Sequence, residues 1–536
     1  MRGALLRCVV VPVGALLVAG ASCGQPQTAT PAPSDEVQAP ALGRPDLRLL
    51  VLTDLKGYLE PCGCTSHPLG GIDRLAAQVA ALRGEAPSVL LAAGDLFFTG
   101  EARAVGGPDA AAQEIWKAEV VADVLSRLQL AAAAPGPLDF SEGRERLVAL
   151  AERARFPLLA AGVRGESHLV PSRIVRAGEL SVGVVGASAL AAPDGALPPG
   201  LEADPLRDAV QRAVREVRGQ GAQVVVVLAR ADRRSARQLA GLAGVDFVVQ
   251  GGLDEAEAQA PATTGQGVLL HAGRQGQGLL VVDLYRRGEG EWIDASVWTR
   301  TELRAHVRER ARALAQRIAE WERDPGVEPA DLATQRSRLE GLRREEAGLA
   351  RAPSLDGNVL SARWIPLGPD APSDAEVAAL VDAYDRRVNE HNRNVFANLA
   401  PIPAPEGAPR YVGSQACASC HGGAMRWWRG HPHGTAYATL ERQHKNYNLS
   451  CVGCHVTGYM RPGGSNVTHV ENLQNVGCES CHGPGSAHVQ DSTVDVVRDP
   501  AEAACASCHT PEHSDHFHYP TYRQMLIAPG HGLPPT

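Results

Sequence analysis

Cys417-Ala418-Ser419-Cys420-His421, Cys451-Val452-Gly453-Cys454-His455, Cys478-Glu479-Ser480-Cys481-His482 and Cys505-Ala506-Ser507-Cys508-His509 repeat one pattern, Cys-x-x-Cys-His. Each reads as a c-type haem attachment site. The two thiols add across the two vinyl groups of one porphyrin, and the following histidine ligates its iron. Zinc knuckles or a disulfide framework are the alternatives. Neither explains why histidine follows the second cysteine every time. The pattern therefore predicts four covalently bound haems and a C-terminal region, 410–536, that is mainly short helices and irregular chain. Porphyrin would supply much of its core.

Cysteine usage agrees. Of 12 cysteines, eight belong to the motifs, Cys8 and Cys23 lie near the N-terminus, and only Cys62 and Cys64 remain. None is left for a long-range structural disulfide. Residues 1–22 read as an export signal, with Arg2 and Arg7 ahead of an apolar stretch too short for a comfortable membrane span. Ala21-Ser22-Cys23 resembles a lipobox, although Gly20 stands where leucine is usual, and predicts a lipid on Cys23. The alternative is cleavage at Ala19-Gly20-Ala21, releasing a soluble chain. Both place the protein on the periplasmic side, where c-type haem is attached. The lipid would anchor it to a membrane, the outer one by expectation. Residues 23–45 read as a flexible tether. With 536 residues, net charge −8 and pI about 6.1, the chain has room for several domains and nothing that points to nucleic acid.

From 46 to 300 the pattern alternates strand and helix. The apolar runs at 47–54 and 88–95 end in Asp54 and Asp95, and others follow at 223–230, 246–252 and 267–273. Helices are predicted at 70–83, 109–128, 141–154, 203–218 and 233–242. This is an α/β sheet with carboxylates at strand C-termini, where such folds place their sites.

The text TDLKGYLEPCGC, GGIDRLAAQVAAL and LLAAGDLF resembles the calcineurin-like metallophosphoesterase domain of bacterial UDP-sugar hydrolases and nucleotidases. Within it, the closer likeness is to an exported UDP-sugar-hydrolase-like (seleno)protein branch. The resemblance implies an α/β sandwich and a dinuclear metal site, yet the ligand pattern is broken. Asp-x-His is Asp54-Leu55-Lys56, Gly-Asp survives as Gly94-Asp95, and Gly-Asn-His is Gly136-Pro137-Leu138. Arg230 and Gly251-Gly252-Leu253 stand where further histidines belong. Asp54 and Asp95 are the residual metal-site carboxylates, and no additional metal is predicted beyond haem iron. Cys62-Gly63-Cys64, followed by His67, reads as a redox dithiol, as a new metal site with His67 or Asp54, or as an inert disulfide. The resemblance, in which selenocysteine takes these positions, favours redox.

Leu303, Val307, Leu314, Ile318 and Trp321 form one helical stripe, and Leu332, Leu339, Leu342 and Leu349 a second, predicting a helical hairpin over 301–352. A strand at 357–368, a helix at 373–396 and a proline-rich linker to 409 follow.

Residues 411–509 resemble the tetrahaem c-type cytochrome that takes electrons from hydroxylamine oxidation in ammonia-oxidising bacteria. The likeness rests on CASCHGGAMRWWRGHPHGTAYATL, CVGCHVTGY and NVGCESCHGPG. It implies closely packed haems, mostly with two histidine ligands. The proximal ligands would be His421, His455, His482 and His509. The distal candidates are His433, His488, His469 and one of His513, His516 and His518, with His518 preferred. His431, His444 and His531 read equally as surface residues. Function follows as an expectation: an electron carrier serving redox partner proteins, with an inactive phosphoesterase-like domain as docking or thiol-redox module. The alternative is a haem or thiol oxidoreductase of small nitrogen or sulfur compounds.

Overall fold

The computed structural model describes residues 37–61, 68–99, 107–191, 195–253, 257–510, 513–514 and 517–533. The leader, Cys23, the Cys62/Cys64 pair, His67 and His516 lie outside the described residues.

Leu47–Thr53, Ser88–Gly94 and Ala132–Pro135 pair in parallel at the centre of an eight-stranded sheet. Gly278–Tyr285 runs antiparallel to Leu47–Thr53, and Asn358–Pro366 antiparallel to Gly278–Tyr285. A six-stranded sheet has Leu180–Ser188, Val224–Arg230 and Phe247–Gly251 as its parallel centre. The two sheets pack face to face: Leu49, Val51 and Leu91 from one meet Val226, Leu228 and Val249 from the other. Helices cover both outer faces. Ile72–Glu85, Gly107–Arg127, Arg144–Ala154 and Ala375–Val395 lie over the first sheet, Leu206–Gly219 and Arg233–Ala240 over the second. Strands buried on both faces need apolar residues at every position, so their sequences run continuous rather than alternating. Arg48 is the exception inside the first strand, and it is paired with Asp283 at 2.6 Å and Glu85 at 2.6 Å. Gly186 permits the close approach of the two sheets, because a Cβ there would sit 2.0 Å from the Leu159 carbonyl oxygen.

The sandwich does not end at residue 300. Asn358–Pro366 extends the first sheet, and Val377, Val381, Tyr384 and Val388 of the helix Ala375–Val395 join its core. The segment 353–409, set apart in the sequence as strand, helix and linker, is thus largely part of the α/β unit. The reason is physical: an edge strand and an amphipathic helix bury their apolar faces only against that sheet. The hairpin Val297–Trp321 and Pro329–Ala350 is inserted between, held by Val307, Ala311, Ile318, Leu339 and Leu342. Leu303 leaves the predicted stripe and is exposed.

After residue 410 the helices are short, from four to nine residues. One small apolar cluster, Tyr437, Val452, Val456 and Val470, is the only core grouping among the described residues there. The segment 445–450 anchors this region to the sandwich. Gln113 donates to Asn448 Oδ1 at 2.8 Å, Asn392 donates to the Tyr447 carbonyl at 2.8 Å, and the Tyr447 amide donates to Asn389 Oδ1 at 2.9 Å. Lys445 pairs with Glu60 and Asp385.

Phe97 is fully buried, its ring stacked at 6.5 Å on Phe156. Phe97→Ala is expected to cost about 3–5 kcal/mol, read as a lowered denaturation midpoint in far-UV circular dichroism.

Candidate haem and phosphoesterase-like sites

Each Cys-x-x-Cys-His motif is built on one tight turn. The His421 amide donates to the Cys417 carbonyl at 2.9 Å, and the His509 amide to Cys505 at 2.9 Å. One turn brings the residue at i+4 back over residue i, so the cysteines and the histidine face one side. None of the eight motif cysteines is in a disulfide. They meet in pairs across motifs: Cys417 hydrogen-bonds Cys478, and Cys454 hydrogen-bonds Cys508. The first motif thus faces the third, and the second faces the fourth. A cavity of about 1360 Å³ opens among Cys454, Cys481, Cys505 and Cys508.

The histidine rings carry the clearest signal. His421 and His488 have centroids 6.2 Å apart, His433 and His509 6.3 Å, and His482 and His531 6.2 Å. Each pair joins one motif histidine to one outside the motifs. With metal–imidazole bonds of about 2 Å, two imidazoles on opposite faces of one iron place their centroids about 6 Å apart. The spacing therefore fits axial ligation. Tautomers fit as well. Nδ1 donates to a backbone carbonyl in His455 (Ala436, 2.7 Å), His482 (Val497, 2.5 Å), His488 (Val494, 2.7 Å) and His531 (Leu526, 2.6 Å). That bond leaves Nε2 with its lone pair for a metal. Burial pushes His433 down to about 4, and lowers His455 and His509, which keeps these imidazoles neutral as ligation requires. Thiols, neutral imidazoles and cavity together fit covalently held haem.

The sequence candidates separate. His433 and His488 stand opposite motif histidines. His469 bonds Asn466 and Thr468 instead, and His518 is exposed, bonded through Nδ1 to Thr521 at 2.8 Å. His531, read equally as a surface residue, stands opposite His482 and stacks on Trp427 at 4.6 Å. Its sequence offers no motif, since it lies 49 residues beyond His482 in a segment without periodicity. His455 has no histidine ring at that spacing among the described residues, and His513 lies within electrostatic reach of it.

In the α/β unit, Asp54 and Asp95 meet at the adjoining ends of parallel strands, both fully buried. Asp54 accepts the Gly252 amide on both oxygens, at 2.9 and 2.7 Å, and the Asp95 amide at 3.3 Å. Asp95 accepts the Leu138 amide at 2.8 Å and faces the Arg230 guanidinium at 3.6 Å. Asp139, unnoticed in the sequence, is fully buried and accepts the Leu96, Phe97 and Gly136 amides. Its signal is its place one residue after the altered Gly136-Pro137-Leu138. Burial raises Asp54 to about 7 and Asp139 to about 8. Backbone amides thus bond Asp54, Asp139 and one oxygen of Asp95, and the Arg230 guanidinium faces the other. Among the described residues no group of three or more His, Cys, Asp or Glu could hold a metal ion.

The sequence profile of the cytochrome c554 and c-prime family matches residues 416–483. A comparison with curated proteins returns no match. Among solved structures, the 5'-nucleotidase precursor of Thermus thermophilus is similar at 17% identity and TM-score 0.44, covering 78% of this chain and 71% of that one. The sulfate thiohydrolase SoxB of the same species is similar at 17% and 0.44, covering 66% and 62%. The calcineurin-like phosphoesterase YfkN of Bacillus subtilis is similar at 18% and 0.38, covering 45% and 86%. Residues 416–483 thus carry the likeness to a haem-binding c-type cytochrome, and they are joined to an α/β sandwich.

Replacing His433, His488 or His531 by Ala in the haem-loaded protein is expected to convert one low-spin iron to high spin in the EPR spectrum. Replacing His469 or His518 is expected to leave the low-spin signals intact.

Proposed function

We propose that the chain is an exported electron carrier with four covalently bound haems, one at each Cys-x-x-Cys-His motif. The observation that carries this reading is the 6.2–6.3 Å opposition of His421 with His488, His433 with His509, and His482 with His531. Bound haems supply one-electron oxidation and reduction, and two histidine ligands keep the iron low-spin with little rearrangement. The chain's part is to fix the imidazoles by carbonyl bonds and to hold the motifs face to face, first with third and second with fourth. The partners are redox proteins. The α/β unit acts as docking or thiol-redox module without phosphoesterase activity, because Asp54, Asp95 and Asp139 are engaged by amides and Arg230. Export through the leader and a lipid on Cys23 would hold the protein at the periplasmic face of a membrane; among the described residues no helix is long and apolar enough to cross one.

A second reading is an oxidoreductase acting on small nitrogen or sulfur compounds, which needs one iron open to a small molecule.

A pyridine haemochrome assay is expected to return four haems per chain. EPR and visible spectra with and without nitric oxide divide the two readings: unresponsive low-spin signals support the carrier, and a high-spin signal that shifts supports the oxidoreductase. Nucleotide hydrolysis with added manganese is expected to stay at the buffer rate, and turnover that Asp54→Asn abolishes would refute the inactive assignment.

A further inference from the structure

The segment that leads into the second motif binds the α/β unit through buried charge. Lys445, 8% exposed, reaches Glu60 from the turn after the first strand and Asp385 Oδ2 at 3.6 Å from the helix Ala375–Val395. Glu114 and Lys117 of the helix Gly107–Arg127 pair at 2.5 Å beside them and line the cavity next to Cys454. Buried Tyr384 feels the charges of Glu114, Asp385 and Glu60. The remaining neighbours are Asp382 on the helix of Asp385 and His444 beside Asp382.

Among the described residues, three carboxylates, Glu60, Glu114 and Asp385, thus face two ammonium groups, Lys117 and Lys445. Glu114 Oε2 and Asp385 Oδ1 are buried without a hydrogen-bond partner among the described residues. An excess negative charge at low dielectric is costly. It is relieved by a proton or by a nearby positive charge. Gln113, next to Glu114, donates to Ser450 at 3.2 Å, and the Cys451 amide donates to the Asn448 carbonyl at 3.0 Å, so a haem held by the second motif would adjoin this cluster.

We propose that this interdomain cluster takes up a proton when the second haem is reduced, so that electron transfer there is proton-coupled, with Asp385 as the accepting group. This rests on the electron-carrier reading. The electron comes from a reduced one-electron carrier protein, the proton from solvent. One electron enters the haem, one O–H bond forms on the Asp385 carboxylate, and the net charge of the ensemble is unchanged. Glu60, whose side chain is 41% exposed, joins the cluster to solvent, with the Lys445 ammonium between it and Asp385. Burial, then the charge of Glu60, push Asp385 up to about 7 against the pull of Lys445. The sign follows. Reduction removes a positive charge, which raises the proton affinity of Asp385 further. The midpoint potential of this couple should therefore fall as pH rises, starting near neutral pH.

The test is spectroelectrochemistry of the full-length haem-loaded protein from pH 5.5 to 8.5. One couple is expected to shift towards 59 mV per pH unit, the one-electron, one-proton value. In Asp385→Asn that slope should vanish and the potential at pH 8 should rise, while the exposed control Asp495→Asn behaves as wild type. If wild-type couples are reversible but flat with pH, or the slope survives in Asp385→Asn, the proposal is overturned. The wild-type measurement stands even if the variant fails to fold. Absence of reversible haem couples would instead sink the electron-carrier reading itself.

Discussion

The region after residue 410 depends on imidazoles held opposite one another. Its one small apolar cluster, Tyr437, Val452, Val456 and Val470, is far too little to order more than a hundred residues. Histidine pairs join positions distant in the chain, His421 to His488, His433 to His509 and His482 to His531. Each pair would tie two loops through one iron. Metal ligation can supply folding energy outright where a hydrophobic core cannot. The carbonyl bonds to Nδ1 are the second part of the same device, because a histidine that rotates or takes the wrong tautomer ligates nothing.

The α/β sandwich is organised on different terms. Its two sheets bury continuous apolar strands, and the carboxylates at its strand ends are turned inward and accept backbone amides. Asp54 receives Gly252, Asp95 receives Leu138 and Arg230, and Asp139 receives three amides. Loss of histidines explains only half of this site's character. The other half is that backbone donors and a guanidinium satisfy groups which otherwise would carry an uncompensated buried charge. The two units share their most polar surface at 445–450, directly before the second motif. The α/β unit is thereby part of the environment of that motif.

Much of this was legible in the sequence, where the local rule is strong. Continuous apolar runs located the strands at 47–53, 88–94, 224–230 and 247–251 to within a residue or two. The 3.6-residue period located the hairpin helices. Less legible were Asn358–Pro366 and Ala375–Val395, whose membership of the sandwich is a matter of which surface they cover. His531 and Asp139 escaped for the same reason. A lone histidine in an aperiodic tail and a lone aspartate after Gly-Pro-Leu carry no spacing signal, and both acquire meaning from a neighbour far away in the chain.

The sequence by itself determined where the haem-attachment pattern falls, since two cysteines and a histidine at that spacing are a local signal. It determined, too, that the phosphoesterase-like ligand set is incomplete. Only the tertiary structure decided which histidines face one another, which motif lies against which, and that Lys445, Glu60 and Asp385 form one buried group. Those are relations between residues up to hundreds of positions apart. They are set by packing and by the need to pair buried charge, and no window along the chain contains them.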